Sequence, residues 1–343
     1  MQNTKIDFVQ TWVDGSDPAW IAEKRKYENT KDSISSSDID ATADCRYRDC
    51  GLLKYWFRAV ERFAPWVNRV FFVTCGQKPG WLNEQNPKLR LVNHKEYIPV
   101  EYLPTFNSNT IELNLHRIPD LSEQFVLFND DVFFLKPVKP EFFFKKGWPV
   151  IPCDLGVPRW LGYNNASRVV INNHGVLKRS MDVERLAWKQ LWKFSDVSSL
   201  GVVRAVKNVA ALAVNRTVIE GTFGHLSLSH LKSTFDEIWH AQPDIMDKTS
   251  RNRFRCDDGV NHWLASAWNM IQGRFYPANE KKNGFQYMVN DRNLARIFDT
   301  IRHQTLPQIC LTDKGSADEL DLCFKQISLV FDKLLPEKSS FEK

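Results

Sequence analysis

No stretch of this sequence is apolar for long enough to cross a bilayer, and its first residues, MQNTKIDFVQ, carry no basic segment followed by a long apolar run. Neither a membrane-spanning helix nor a secretory leader is expected. The seven cysteines (Cys45, Cys50, Cys75, Cys153, Cys256, Cys310 and Cys323) include no C-x-x-C pair. An odd, scattered set excludes a zinc cage or a disulfide framework and reads as reduced thiols in a cytoplasmic chain. There is no G-x-x-x-x-G-K-[ST] loop, no G-x-G-x-x-G after the first strand and no G-x-S-x-G elbow. Kinase-like, dinucleotide-dehydrogenase and esterase chemistries thereby lose their usual support. Charge is not concentrated either: the net charge is +5, with Lys and Arg spread along the chain. That bias suits a nucleotide or phosphate and is too diffuse to argue for nucleic acid.

What is present is an ordinary globular composition, 43% hydrophobic and 25% charged, over 343 residues, enough for one large domain or two smaller ones. The 12 Trp and 23 Phe are many for this length. Most belong in a core; some aromatic faces can also line a sugar site. Ile6 to Val13 reads as a buried strand that stops at Asp14-Gly15-Ser16-Asp17-Pro18. Leu53, Trp56, Phe57, Val60 and Phe63 have helical spacing, ended by Pro65. Strands are expected at Val70–Thr74, Leu89–Val92 and Phe125–Phe128, the last running into Asn129-Asp130-Asp131 and a further apolar run, Val132 to Leu135. Between them a helix is expected with Asn109 as its cap and Glu112 as the capping-box partner, stopping at Pro119. The polar stretch Thr30 to Asp44 reads as a mobile surface loop that could close over a ligand.

Alternating strands and helices predict a mostly parallel sheet covered by helices over residues 1–150. Residues 151–343 read as a helical part completing the same unit, with helices at Met181–Phe194, Val203–Leu212, Leu231–Trp239, Val260–Ile271 and from about Ala317 to Leu335. The parallel-sheet rule then brings two acidic strand ends to one edge: Asp14 and Asp17 from the first strand, Asp130 and Asp131 from the fourth. Hard carboxylate oxygens there suit Mg²⁺ or Mn²⁺; the plainer alternative is that each caps a helix or closes a turn. Arg251, Arg253 and Arg255 alternate in SRNRFRCDD, so an extended segment would aim three guanidinium groups one way, either at phosphate or at solvent. His225, in GTFGHLSLSHLKS, could take a proton from an attacking hydroxyl or be merely structural.

Four blocks of the chain resemble the Stealth family of sugar-1-phosphate transferases. They are IDFVQTWVDGSDPAW; RYRDCGLLKYWFRAVERFAPWVNRVFFVTCGQKPGWL with LPTFNSNTIELNLHRIPDLSEQFVLFNDDVFF; HLSLSHLKSTFDEIW with TSRNRFRCDDGVNHWLASAWNMIQGRF; and the short QICLTDKGSAD. The family pattern often has Pro where Ser227 stands, Ser where Cys256 stands, and Asn-Asp where Thr312-Asp313 stands. The resemblance implies an α/β, GT-A-like (Rossmann-type) core, a divalent metal, Mg²⁺ or Mn²⁺, and a nucleotide-sugar donor, commonly a UDP-sugar. It places Thr11, Asp14, Gly15 and Asp17 in the donor site, with Arg48 and Asn107 close by. Asn129, Asp130 and Asp131 would serve metal and reacting phosphate, and His225, Lys232, Arg253 and Arg255 would complete the site.

The expected reaction is transfer of a sugar-1-phosphate from a nucleotide-diphosphate sugar to a hydroxyl of an oligosaccharide or polysaccharide acceptor. A nucleoside monophosphate leaves, and the product belongs to a capsular polysaccharide. Asp14, Asp130, His225 and Arg255 are the catalytic candidates, with either His225 or Asp130 as base and Asp131 with Asp130 at the metal. Thr11, Gly15, Asp17, Arg48, Asn107, Asn129, Lys232 and Arg253 are the substrate-binding candidates. The expected location is cytoplasmic, with peripheral association to a membrane-bound capsule assembly complex. The rival readings are a GT-A glycosyltransferase that moves only the sugar, and a non-catalytic carbohydrate-binding subunit.

Overall fold

A computed structural model describes residues 5–28, 47–155, 165–215, 225–313 and 317–343. Its central sheet has five strands in the order β3-β2-β1-β4-β8. These are β1 (Ile6–Thr11), β2 (Val70–Thr74), β3 (Leu89–Asn93), β4 (Gln124–Phe128) and β8 (Leu228–Leu231). β1 pairs in parallel with both β2 and β4, β2 pairs in parallel with β3, and only β8 runs antiparallel, against β4. This is the mostly parallel α/β arrangement that the strand–helix alternation predicts.

The near-continuous apolar runs of the inner strands follow from burial on both faces. Alternate residues feed two cores. Phe8, Phe72, Val126 and Phe128 enter one; Val9, Phe71, Val73, Phe125 and Leu127 enter the other. Asp7 is the buried exception within β1. Its carboxylate accepts from Asn68 Nδ2 (2.6 Å) and from the amides of Arg69 (3.1 Å) and Ser122 (2.8 Å). These bonds compensate the cost of burying a charge.

The helix Leu53–Phe63 covers the first core with Trp56, Phe57, Val60 and Phe63 and stops two residues before Pro65, which disfavours helical backbone at Ala64. Its Arg58 pairs with Glu342 (2.8 Å), fastening the C-terminus to this face.

The later half supplies strands as well as helices. Beyond β8, a second sheet of order β10-β11-β5 joins β10 (Gly284–Val289) and β11 (Gln308–Asp313) to β5 (Val132–Phe134). A third, β6-β7-β9, combines β6 (Phe144–Lys145), β7 (Trp148–Pro152) and β9 (Tyr276–Ala278). The strands β8 to β11 differ from the all-helical expectation: β8, β9 and β11 pair with β4, β7 and β5 from the first half of the chain, and β10 pairs with the nearby β11. The expected helix Met181–Phe194 is broken into Val183–Lys189 and Leu191–Phe194.

The helix before Pro119 is also corrected. Its cap is Asn107, whose side chain accepts from the Asn109 amide (3.1 Å), and the α-helix spans Ser108–Leu113 before a 3-10 turn at Leu115–Arg117. The six described cysteines, Cys50, Cys75, Cys153, Cys256, Cys310 and Cys323, are all free thiols. Among the described residues no helix is long and apolar enough to cross a membrane. The stretch Thr30 to Asp44 lies outside the described residues.

Candidate active site

The register of the central sheet decides what meets at its open edge. Gln10 on β1 lies beside Phe128 on β4, so the loop after Thr11 and the turn after Phe128 emerge together. Asp14 and Asp17 are braced by Gln77, whose Nε2 donates to Asp14 O (3.0 Å) and Asp17 Oδ2 (2.9 Å). Asp14 Oδ1 accepts from the Ser16 amide (2.9 Å) and hydroxyl (2.6 Å). Asp17 also accepts from the Ala19 amide (2.8 Å) at the start of the helix Pro18–Glu28. The Gln77 bond and that amide lower its pKa. Asp17 therefore does the capping work of the plainer reading. Gly15 lies against Tyr47: its amide donates to Tyr47 O (2.9 Å), and a Cβ there would stand 2.1 Å from that oxygen.

Carboxylates converge beyond this loop. Asp130 has its pKa pushed up to about 8, first by desolvation and then by Asp131, Asp49 and Asp313; the residue is nevertheless exposed, so solvent screens part of the burial effect and the neighbouring carboxylates are the firmer cause. Asp131 is also raised by burial, against the lowering effect of the Cys310 thiol and His225. Asp49 is raised by burial and by Asp14. Asp313 is raised by burial, with Arg48 opposing; Arg48 NH1 lies 3.3 Å from its Oδ2. Asp49 thus stands within reach of the charge of both strand ends, acted on by Asp14 and acting on Asp130. Asp131 Oδ1 is buried with no hydrogen-bond partner among the described residues.

The basic side comes from the later chain. Arg255 NH2 donates to Ser108 Oγ (2.7 Å). Glu112, buried behind them, has a pKa pushed up to about 7 by desolvation, against the lowering effects of Arg255 and Ser108. His262 Nε2 stands 3.7 Å from Glu112 Oε2, and His262 Nδ1 is 3.1 Å from His230 Nε2. Burial holds His262 well below the ordinary histidine range, with His230, His225 and Arg255 adding to it. His225 therefore acts electrostatically on both Asp131 and His262, linking the acidic edge to the Arg255–Glu112 group.

Three expectations change. The arginines do not share an extended face. Arg251 ends the helix Pro243–Arg251 and pairs with Asp247 (2.7 Å); the chain then turns, Arg253 lies 4.5 Å over the Tyr27 ring and donates to Pro104 O, and only Arg255 reaches Ser108. Lys232 lies at the wrong end of the sheet. Because β8 is antiparallel to β4, Leu228 stands opposite Leu127 near the site, while Leu231 stands opposite Gln124 at the other edge. Lys232 Nζ there donates to Ile118 O (2.7 Å). Asn107 is wholly buried, its Nδ2 donating to Asn252 O (3.0 Å) and Phe254 O (3.1 Å), so it aligns the arginine segment without facing the cleft. Thr11 and Asn129 are half-buried, each next to one of the two acidic turns.

Asp49, Ser108, Glu112, His262 and Cys310 are the residues that the motif reading missed. Asp49 directly follows Arg48, and Glu112 had been given a capping role, so both had a local signal; His262 and Cys310 had none. The residues that could hold a divalent cation are Asp130 and Asp131. Among the described residues no three His, Cys, Asp or Glu groups gather closely enough to form a cation site. The buried Oδ1 of Asp131 and the mutual repulsion with Asp130 fit a magnesium-like ion that takes one or two protein carboxylates and completes its shell with substrate phosphate and water.

Comparison with known proteins agrees with the motifs. Residues 4–32 match the family model described as Stealth protein CR1, conserved region 1, and residues 46–150 match Stealth protein CR2, conserved region 2. A capsular polysaccharide phosphotransferase, WcwK of Streptococcus pneumoniae, is 38% identical over 98% of this chain and 99% of its own. A receptor polysaccharide phosphotransferase, WefC of Streptococcus oralis, is 37% identical over the same shares of the two chains. The exopolysaccharide phosphotransferase cps2G of Lactiplantibacillus plantarum is 34% identical over 98% of this chain and 96% of its own. Among solved structures, the galactosyltransferase LgtC with donor and acceptor sugar analogs aligns over 97% of this chain and 98% of its own, with 10% identity and a TM-score of 0.40. With relatives of this identity spanning nearly its full length, the chain belongs to the Stealth family.

Proposed function

We propose that this protein transfers a sugar-1-phosphate from a nucleotide-diphosphate sugar, a UDP-sugar in the first instance, to a hydroxyl of a saccharide acceptor during capsular polysaccharide synthesis. The acceptor oxygen attacks the phosphorus that bears the sugar. The bond from that phosphorus to the bridging oxygen breaks, and a nucleoside monophosphate leaves. Phosphoryl-type transfer of this sort depends on positioning and charge neutralisation. The observation that carries the reading is Asp131, whose buried Oδ1 has no hydrogen-bond partner among the described residues and whose carboxylate feels the charge of His225, which also acts on His262 beside Glu112, Arg255 and Ser108.

His225 is the better base. Asp131 beside it stabilises the imidazolium that forms when it accepts the acceptor's proton, whereas Asp130 would be engaged at the cation. Arg255 would hold non-bridging oxygens as charge builds. Mg²⁺ or Mn²⁺ held by Asp131 and Asp130 would supply neutralisation of the diphosphate. Asp14, Gly15, Thr11 and Asn129 would shape the donor side, and Arg48 would reach it from its pairing with Asp313.

The test is incubation with a panel of nucleotide sugars, Mg²⁺ and a saccharide acceptor, followed by phosphorus-31 NMR. A new phosphodiester signal with nucleoside monophosphate supports the reading. Nucleoside diphosphate without a phosphodiester would assign the chain to sugar-only transfer, and no turnover would favour a binding subunit. Cytoplasmic placement beside a membrane-bound assembly complex belongs to the same proposal, and fractionation of cells producing the protein checks it.

A further inference from the structure

The chain's last motif block opens on β11, and β11 bonds to Asp131 directly. The Leu311 amide donates to Asp131 O (2.8 Å), and the Cys310 thiol donates to Asp131 Oδ2 (3.2 Å). Cys310 lies in the ladder opposite Val132, so its Cα is fixed by antiparallel pairing directly beside the acidic turn. It is wholly buried, and its sulfur also stands 3.5 Å from Thr312 Oγ1. One carboxylate oxygen of Asp131 is therefore engaged by protein while the other, Oδ1, has no partner among the described residues. A carboxyl group is planar, so fixing one oxygen fixes the direction of the other.

We propose that Cys310 is a positioning residue: its S–H bond to Oδ2 turns the free Oδ1 of Asp131 towards the cation and donor diphosphate. This rests on the metal-binding reading of Asp131 given above. A neutral thiol suits the task. It donates one hydrogen bond, it presents a soft atom that does not compete with carboxylate oxygen for Mg²⁺, and it fits a closed apolar core. Partners that orient a metal-binding carboxylate typically contribute 10- to 100-fold in affinity or activity.

Packing and positioning predict opposite rankings of the same variants. If Cys310 only fills space, Cys310→Val should behave like the native protein and Cys310→Ser, with a buried hydroxyl, should suffer. If it positions Asp131, Cys310→Ser should retain function because it keeps the donor, while Cys310→Val and Cys310→Ala should fail alike. The experiment is Mn²⁺ titration of the full chain in the presence of UDP, against a protein-free UDP control, read by electron paramagnetic resonance, with Asp131→Asn to identify the site and a thermal melt for each variant. The expected result is roughly 10-fold weaker Mn²⁺ binding in the Val and Ala variants, near-native binding in the Ser variant, and a melt that does not follow this order. Native Mn²⁺ affinity in Cys310→Val overturns the inference and leaves the cation reading standing. No Mn²⁺ binding to the native chain overturns both, since Asp131 would then have no ion to face.

Discussion

His225 and Lys232 flank one four-residue strand from opposite sides. β8 separates its own ends by about 10 Å, and its antiparallel pairing sends the His225 side to the acidic edge and the Lys232 side to the other. Proximity in sequence made them look like partners in one site. His225→Ala is expected to lower kcat by about 10²- to 10⁴-fold, the usual contribution of a general base. Lys232→Ala is expected to leave kcat within about 3-fold and to cost about 1 kcal/mol of stability for the lost bond to Ile118 O. Parallel measurements of nucleoside monophosphate release and thermal midpoint separate the two.

The raised carboxyl groups make the metal-free protein sensitive to pH in a defined window. Glu112 and Asp130 titrate at about 7 and about 8 in the folded chain, above their unfolded values. The folded state therefore binds more protons, and stability is lost as pH rises through those values. The buried histidines act oppositely but lower down: His94 is pushed down to about 4, His116 and His230 to about 3, and His262 well below its ordinary value. In the unfolded chain they lose their protons around pH 6.5, so up to about pH 7.5 they offset the carboxyl groups and above that they add little. The thermal midpoint should therefore fall between about pH 7.5 and 8.5 in the absence of divalent cations. The slope should shrink in Glu112→Gln and in Asp130→Asn. A midpoint that rises across this window would contradict the crowding of acids described here.

Gly15 tests the turn after β1. An added Cβ would stand 2.1 Å from Tyr47 O, a backbone atom with no easy escape. Gly15→Ala should displace the loop that carries Asp14 and lower stability by about 1–3 kcal/mol, the range for overpacking. Donor KM should rise more than kcat falls, because the turn shapes binding and not proton transfer. Melting curves and initial rates at several donor concentrations check both parts.

The inner sheet was legible because β1, β2 and β4 are buried on both faces and write that burial into unbroken apolar runs. The acidic edge was legible for the same reason: once the strands are parallel, their ends must meet. The remainder depends on long-range pairing. β11 reaches β5 across more than 150 residues of chain, so nothing local near Cys310 signals its bond to Asp131. Arg251 looked equivalent to Arg255 until the helix Pro243–Arg251 absorbed it. Glu112 fits a capping box by spacing, yet burial beside Arg255 and Ser108 gives it another environment. Local pattern found the elements, and tertiary pairing decided which charged residues reach the cleft.

Arg48 and Asp313 provide a test of how the last motif block acts. Their side chains are both about four-fifths buried and lie 3.3 Å apart, and the acidic group around Asp130 and Asp49 surrounds them. If Asp313 bound the cation itself, Asp313→Asn would weaken Mn²⁺ binding regardless of residue 48. If its task is to hold Arg48 against the donor, removing it should act only through Arg48. Arg48→Ala is then expected to raise donor KM about 10-fold, Asp313→Asn somewhat less, and the double variant no further than Arg48→Ala alone. That non-additivity amounts to a coupling of about 1 kcal/mol, within the range for contacting residues. Strictly additive effects on KM, with Mn²⁺ affinity lost in Asp313→Asn, would transfer Asp313 from the arginine to the cation.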